Sequence, residues 1–406
     1  MLNSRLYAFS SILFYILFFR ASLDPLLNLT KIGGIGLGAL LNLLVFMMFI
    51  MVCFKQRLLI PKTFISVWGS FLLVGLASIV LSPDKVTSLR SFFSVLTYWS
   101  VFCLSYFFIK NKNDGEFFIR FVIYSAVIPI SSVFFEFLFP ESSTTRSGFR
   151  LFGSFSHPNI FAFYLVLIGT LCMYAIKSNI FCFSRAFLTH SKVIFIISIC
   201  CLLLTQTRSA WLAMIVVIFI YGLLAERKYL IYLFSLVLLS LLIPSVQDRV
   251  FDIFSGPSAA DLAVGESLNS YEWRKVVWLA SWDYIASKPF LGHGYDTFSY
   301  YFLEFFPLQE STKFDAHNAY VQIAFDMGFL GLTSYLIIFF LLTVRFVKFF
   351  RVDNKGASLI LGLIASYMVA GYSDNMLFYL SYNWYFWSVM GFFYFYSLNV
   401  SQNNSV

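Results

Sequence analysis

Charge is scarce in this chain. Of its 406 residues, 12% are Asp, Glu, Lys or Arg and 60% are hydrophobic, whereas soluble domains carry about 25% charge and about 45–50% apolar residues. A water-soluble fold of this size has nowhere to hide so much apolar surface, so lipid must cover the excess. Cysteine is sparse too. The six are Cys53, Cys103, Cys172, Cys182, Cys200 and Cys201. None falls in the long outer loop described below, and none has CxxC spacing, so neither a disulfide framework nor a cysteine metal site is expected. Familiar catalytic patterns are missing as well: no GxSxG elbow, no P-loop, no HExxH and no acidic pair suited to a metal. No metal or cofactor is expected. No Lys/Arg cluster is interleaved with base-stacking aromatics, which removes nucleic acid as a partner despite the net charge of +8.

What the chain has is long apolar runs. A bilayer-spanning helix needs about 20 mostly apolar residues, and runs of that kind occur at roughly 6–23, 32–54, 63–81, 91–109, 117–139, 159–176, 191–207, 209–225, 229–246, 318–344, 356–373 and 377–398. The fold class expected is an all-α polytopic membrane protein of about twelve spans with one large, partly helical outer loop. Residues 1–23 lack a small-residue cleavage site and read as the first span, not a removed signal peptide. Two spans meet at Gln206–Ser209 with almost no loop between them. With the N-terminus inside, short inner loops hold fourteen Lys and Arg and short outer loops six. That bias places both termini in the cytoplasm. The 52 Phe, 24 Tyr and 8 Trp are expected mostly at lipid-facing or interfacial positions.

Three regions follow: a membrane bundle over 1–246, the outer loop over 247–316 and a second membrane segment over 317–406. The loop is too long for a mere connector. Within it, Tyr271 to Ser287 places Trp273, Val277, Ala280 and Tyr284 at helical spacing, which predicts an amphipathic helix on the membrane face. The stretch before it, Ser255 to Ser270, is Gly/Ser/Ala-rich and is expected to be mobile. Lys288 to Gly294 reads as a helix stop and a Gly-rich turn, with His293 structural.

Ionisable residues at membrane depth are costly, so they are the functional candidates. Arg208 sits at the outer junction of two apolar runs, on the side that the charge bias disfavours for arginine. His317 lies where the loop re-enters the membrane, flanked by Asp315 and Asn318, and can take a proton near neutral pH. Arg274 lies on the amphipathic loop helix beside Lys275, where by itself it reads as an ordinary surface charge. Upstream, Arg146, Arg150, His157 and Asn159 belong to the outer stretch RSGFRLFGSFSHPNIFAFYL. There His157-Pro158-Asn159 opens a helix that Asn159 or Ser156 is placed to cap, and a helix start favours anions. Asp374, and the Arg20/Asp24 pair four residues apart, read as structural ion-pairing groups.

The stretches GSFSHPNIFAFYL, TQTRSAWLAMI, WRKVVWLASWDYIASKPFLGHGYDTF and HNAYVQIAFDMGFLGL, taken in order, resemble the O-antigen ligase and polysaccharide-polymerase family of bacterial membrane proteins over residues 150 to 375. The resemblance implies a metal-independent, inverting glycosyltransferase in the inner membrane, acting at its periplasmic face. It implies that a glycan moves from undecaprenyl diphosphate to a sugar hydroxyl. Arg208, Arg274 and His317 would be the catalytic residues; the helix-start reading adds Arg146, Arg150, His157 and Asn159, and the place beside His317 adds Asn318, as lesser contacts to diphosphate or acceptor. Two activities fall within it: a polymerase, toward which the HPN and PFLGHGY stretches lean, and a ligase that uses a lipid A–core acceptor. A flippase for the same lipid-linked sugar is the rival class. A chain-length regulator protein is a partner that the polymerase reading would bring.

Overall fold

Away from water a long apolar run has one way to satisfy its own backbone, and that is to coil into helix. The computed structural model describes residues 35–55, 61–109, 111–145, 148–244, 246–248, 270–306 and 312–403, together with positions 15, 20, 27, 31, 32 and 251. Most of the first expected span, Asp24 and Arg146 lie outside the described residues, as does the Gly/Ser/Ala-rich stretch up to 269. A hairpin of two-residue strands, β1 (Lys31–Ile32) and β2 (Ile35–Gly36), leads into α1 (Leu37–Lys55), α2 (Lys62–Leu81), α3 (Lys85–Phe108), α4 (Lys112–Tyr124) and α5 (Val127–Leu138). A second such hairpin, β3 (Thr144–Thr145) and β4 (Gly148–Phe149), precedes α6 (Pro158–Lys177), α7 (Arg185–Leu204), α8 (Arg208–Leu224) and α9 (Lys228–Ser240). The loop carries α10 (Ser270–Ala280), α11 (Trp282–Ser287) and α12 (Phe298–Phe305). The chain closes with α13 (Ala319–Phe349), α14 (Asn354–Gly371) and α15 (Leu380–Asn403).

Among the described residues six helices are long and apolar enough to cross a membrane, with the α4–α5 pair counted as one. This is a multi-pass, all-α membrane protein. Two of the expected runs differ from their helices. The run at 117–139 breaks between Tyr124 and Val127. Pro129 has no N–H for the Ser125 carbonyl four residues earlier, so the hydrogen-bond ladder is interrupted there. The run at 229–246 coils over 13 residues only, in α9.

The bundle interleaves early and late helices. The closest pairings are α8 with α14, α3 with α15, α6 with α7 and α2 with α13. At its centre is α6, buried along nearly its whole length from Pro158 to Ala175. It is apolar on every face, which is the pattern of a helix that no solvent touches. The aromatic expectation is corrected here. Trp68, Trp387, Tyr98, Tyr164, Tyr367, Tyr382 and Tyr385 are among the largest fully buried side chains, and Trp68 meets Trp387 edge-on at 4.9 Å. Between membrane helices there is little hydrophobic gain to be had, so packing and ring geometry hold the bundle. Phenylalanines such as Phe54, Phe134 and Phe139 do face outward.

The helices of the loop have a core of their own, built from Val277, Ile285, Phe298, Phe302 and Phe306. Ala324 and Phe325 from the first turns of α13 complete it. The predicted amphipathic helix is present in two pieces, α10 and α11, divided at Ser281. All six cysteines are free.

Candidate active site

α13 is broken at Gly328, where φ is 65° and ψ −172°. The loop's Gly-rich turn crosses the chain at this break. His293 N donates to Phe325 O at 2.9 Å, Gly294 N to Asp326 O at 3.1 Å, and Phe329 N to Pro289 O at 2.7 Å. A Cβ on Gly328 would stand 2.3 Å from the Phe290 carbonyl carbon, and one on Gly292 2.4 Å from Phe325 O. Only glycine permits so close a crossing, and both sit at positive φ. The expected shape element is therefore a clasp between loop and membrane helix. His293 serves it: its ring stacks on Phe325 at 4.8 Å and its Nε2 pairs with Tyr284 O at 2.8 Å.

A second fastening runs through the α13 start. Asp326 Oδ1 accepts from Thr297 N and Phe298 N, which open α12, at 3.1 and 3.2 Å. Its Oδ2 accepts from Gln322 Nε2 at 2.9 Å. Gln322 Oε1 accepts from Ala316 N and from Asn375 Nδ2. Trp278 Nε1 of α10 donates to Ala316 O at 2.7 Å, and Asn318 N to Asn375 Oδ1 at 3.0 Å. Both neighbours of His317 are thus pinned, and His317 itself takes φ 48°. A left-handed conformation costs about 1 kcal/mol or more and persists only where the surroundings impose it. Asn318 uses its Oδ1 to cap α13, accepting from Tyr320 N and Val321 N at 2.9 and 3.1 Å. It holds the turn that presents His317.

The third component is Asp374, buried in the α14–α15 connection. Its Oδ1 accepts from Asn159 Nδ2 at 3.0 Å and from the Tyr379 hydroxyl at 2.7 Å, and its Oδ2 from the Ser209 hydroxyl. The expected arginine partner is absent among the described residues; neutral donors from three helix ends satisfy this carboxylate instead. Asn159 Oδ1 in turn accepts from Arg150 Nη2 at 2.9 Å and Thr207 Oγ1 at 3.3 Å. Arg150 also donates to Thr205 O and Thr207 Oγ1, which braces the tight α7–α8 turn. That turn passes through Gln206 at φ 52° and delivers Arg208 as the first residue of α8. The two runs that meet here are two separate helices, as expected.

His157, not Asn159 or Ser156, caps α6: its Nδ1 accepts from Asn159 N at 3.1 Å. An accepting Nδ1 leaves the proton on Nε2, so the neutral ring shows an N–H donor to its surroundings. Burial by the surrounding chain and then Arg150 push its pKa below the usual histidine range, against the pull of Asp374.

Arg208 reaches the start of the loop helix, donating from Nη2 to Ser270 Oγ at 2.8 Å. Four residues on, Arg274 lies within the fields of His317 and Tyr379. The His317 ring meets Trp273 edge-on at 6.2 Å. Burial first, and Arg274 next, lower the His317 pKa, while Asp374 opposes them. The imidazole is accordingly neutral at pH 7 and able to accept a proton. Asp315, two residues away, is pushed up to about 6 by burial and by Asp296. Arg208, Arg274, His317, His157, Arg150 and Asn159 therefore gather at one end of the bundle around Asp374. Among the described residues no group of three or more His, Cys, Asp or Glu side chains is placed to hold a metal ion. Between α7, α8 and α9 lies a cavity of about 130 Å³ lined by Leu202, Leu203, Trp211, Met214 and Leu233.

Sequence reasoning missed Asp374 as the centre, with Ser209, Thr207 and Tyr379 as its companions. The signal that could have found them is position: all four stand at helix ends on the side that carries Arg208.

Residues 193–336 match the family model described as O-antigen ligase. The match begins in α7 and ends in α13, and so contains Arg208, Arg274 and His317. No curated protein matches the chain.

Proposed function

With an O-antigen ligase domain at residues 193–336 as the premise, we propose that this protein moves a glycan from undecaprenyl diphosphate onto a sugar hydroxyl at the periplasmic face of a bacterial inner membrane. The observation that carries the reading is the convergence of two arginines and a neutral histidine at the helix ends, with an apolar cavity lined in part by Trp211, one turn into the helix that Arg208 opens. A diphosphate with a prenyl tail needs that pairing of concentrated positive charge and grease.

The chemistry follows from the groups present. The acceptor hydroxyl attacks the anomeric carbon, its C–O bond forms as the bond to the diphosphate oxygen breaks, and the configuration inverts. His317 takes the hydroxyl proton, for which its lowered pKa suits it. Arg208 and Arg274 hold the diphosphate and stabilise the charge that grows on its leaving oxygen. A guanidinium fork binds such oxygens two at a time and stays charged throughout. No metal ligand set is needed for this, because the fixed cations are already in place. The His157 Nε2–H supplies a further donor. Asn159, Arg150 and Asn318 act by position, holding the turns that present the others. Arg146, from the same stretch, is assigned with them as a lesser diphosphate contact. In this reading the loop over 247–316 lies between the membrane segments 1–246 and 317–406, and its described helices α10–α12 work as a unit clasped onto the bundle.

We take the polymerase as the working form, with the acceptor on a second lipid-linked repeat unit and a chain-length regulator as partner. The ligase is the second reading, favoured by the description of the matched family. Both are tested by one reconstitution with lipid-linked repeat units as the only substrate. A ladder of longer lipid-linked glycans establishes the polymerase. Transfer seen only after lipid A–core is added establishes the ligase. A protein that moves the lipid-linked sugar across the bilayer without making a new bond is a flippase, and the proposal then fails.

A further inference from the structure

The GHGYDTF stretch does more than close the clasp. Tyr295 is buried with its ring edge-on to Phe92 at 5.4 Å, and Asp296, at φ 59°, turns the chain back outward. A non-glycine residue at positive φ is uncommon, and here it aims a carboxylate. Asp296 reaches a cavity of about 160 Å³ between the α2–α3 connection and the start of α12. The lining is polar and mixed: Asp84, Ser88, Asp296, Ser299, Tyr300 and Lys313 are among its residues. Ser91 donates to Asp296 Oδ2, while Oδ1 has no protein partner among the described residues. The Tyr300 ring is half exposed and carries the Lys313 ammonium at 5.4 Å.

We infer that this cavity is a saccharide subsite, holding one sugar ring of the glycan while the reaction proceeds at His317. The inference rests on the transferase reading and deepens it. A cavity of about 150 Å³ accepts a benzene ring, so one of about 160 Å³ seats one face of a larger pyranose and leaves the rest of the sugar outside. Chemistry fits as well: hydroxyl donors, carboxylate acceptors, an ammonium and a half-exposed aromatic ring match the alternating hydroxyls and apolar face of a pyranose. Two carboxylates disfavour a phosphate, and the lysine disfavours a cation. Location is the independent support. Lys313 lines the cavity and His317 lies four residues further on, at most ~14 Å even for a fully extended chain, which is within the span of a short oligosaccharide.

The test uses the full chain in lipid nanodiscs and two probes. One is the repeat-unit oligosaccharide released by mild acid from the lipid-linked pool of the producing cell; the other is undecaprenyl diphosphate without sugar. Asp296→Asn and Tyr300→Ala should each weaken binding of the oligosaccharide roughly ten-fold, as expected for one lost contact to a charged or aromatic group. The same variants should raise KM for the lipid-linked glycan and leave undecaprenyl diphosphate binding unchanged. If Asp296→Asn fails to fold, Ser299→Ala replaces it, with a smaller loss expected. Wild-type oligosaccharide affinity in these variants overturns the subsite and leaves the transferase standing. Undecaprenyl diphosphate binding that is indifferent to Arg208→Ala sinks the transferase reading instead, and oligosaccharide binding then stands or falls by itself.

Discussion

Asn159 and Asp374 are 215 residues apart in the chain and joined by a hydrogen bond of 3.0 Å. The contact ties the start of the central helix α6 to the α14–α15 connection. Through Ser209 and Tyr379, the same carboxylate also holds the start of α8 and the start of α15. The groups that would do chemistry hang from this junction. Replacing Asp374 with Ala strands three donors at once in a low-dielectric setting, where each unsatisfied group costs about 1–3 kcal/mol. The expected outcome is a large loss of thermal stability in detergent. Asp374→Asn, which keeps the shape and one acceptor oxygen, should lose less. Equal melting temperatures for Asp374→Ala and wild type would show that the network carries no stability.

Arg208 is separable from that scaffold: its Nη2 donates to the exposed Ser270 hydroxyl, while the buried Asp374 carboxylate accepts from Asn159, Ser209 and Tyr379. Arg208→Ala should therefore leave the protein folded in the membrane while transfer falls roughly a hundred- to a thousand-fold, the cost of removing one fixed charge donor from a developing oxyanion. Size-exclusion profile and melting temperature report the fold; product formation from lipid-linked glycan reports the chemistry. Full activity in this variant would remove Arg208 from the site.

Arg274→Lys asks a narrower question. If the residue contributes only a positive charge, lysine suffices. If a bidentate fork is needed, lysine is poor, because it offers a point charge where two parallel N–H donors are wanted. The expectation is a loss of about ten-fold or more in kcat/KM. An unaltered rate would make Arg274 an ordinary surface charge.

The charged site residues were legible in the sequence because charge at a membrane boundary is expensive and must have a reason. Arg208 and His317 stood out on that ground, Arg274 only through the family resemblance, and the structure brings the three together. The rest was hidden for identifiable reasons. Asp374, Ser209, Thr207 and Tyr379 are common residues at helix termini, and nothing local shows that Ser209 and Asp374, 165 residues apart, meet. The cap at His157 was assigned to its neighbours because Asn and Ser are the usual capping residues. The break at Gly328 leaves little mark on hydropathy, since apart from Asp326 the run is apolar before it (Ile323 to Met327) and after it (Phe329 to Leu332). Span positions were readable from apolar runs; the burial of Trp68, Tyr98 and Trp387 was not, because the composition of a ring is the same whether lipid or another helix covers it.

The clasp at Gly328 gives a fourth expectation. An alanine there would need φ 65° and would place its Cβ 2.3 Å from the backbone of Phe290. Backbone atoms cannot rotate aside, so the crossing must open. Gly328→Ala should detach the loop helices from α13, seen as faster proteolysis between residues 270 and 306, and should lower activity with it. Gly69→Ala, where an added Cβ meets nothing within 4 Å, is the control. Indistinguishable proteolysis of the two variants would show that the loop does not depend on the clasp.

The pH dependence tests the role of His317 by sign as well as size. Burial and Arg274 disfavour the protonated ring, so its pKa lies below the usual 6.5. A base must be neutral to act. Activity should therefore be full above that pKa and fall as pH drops through it, with the acid limb of kcat/KM below pH 6.5 and a slope of one proton. Arg274 opposes protonation, so removing it should move the limb upward; the residual activity of Arg274→Gln is enough to locate it. Loss of the acid limb in His317→Ala, with activity recovering at high pH where hydroxide replaces the base, completes the assignment. A limb that stays in place when His317 is replaced belongs to another group, and Asp315, held at about 6, is the one to examine by Asp315→Asn.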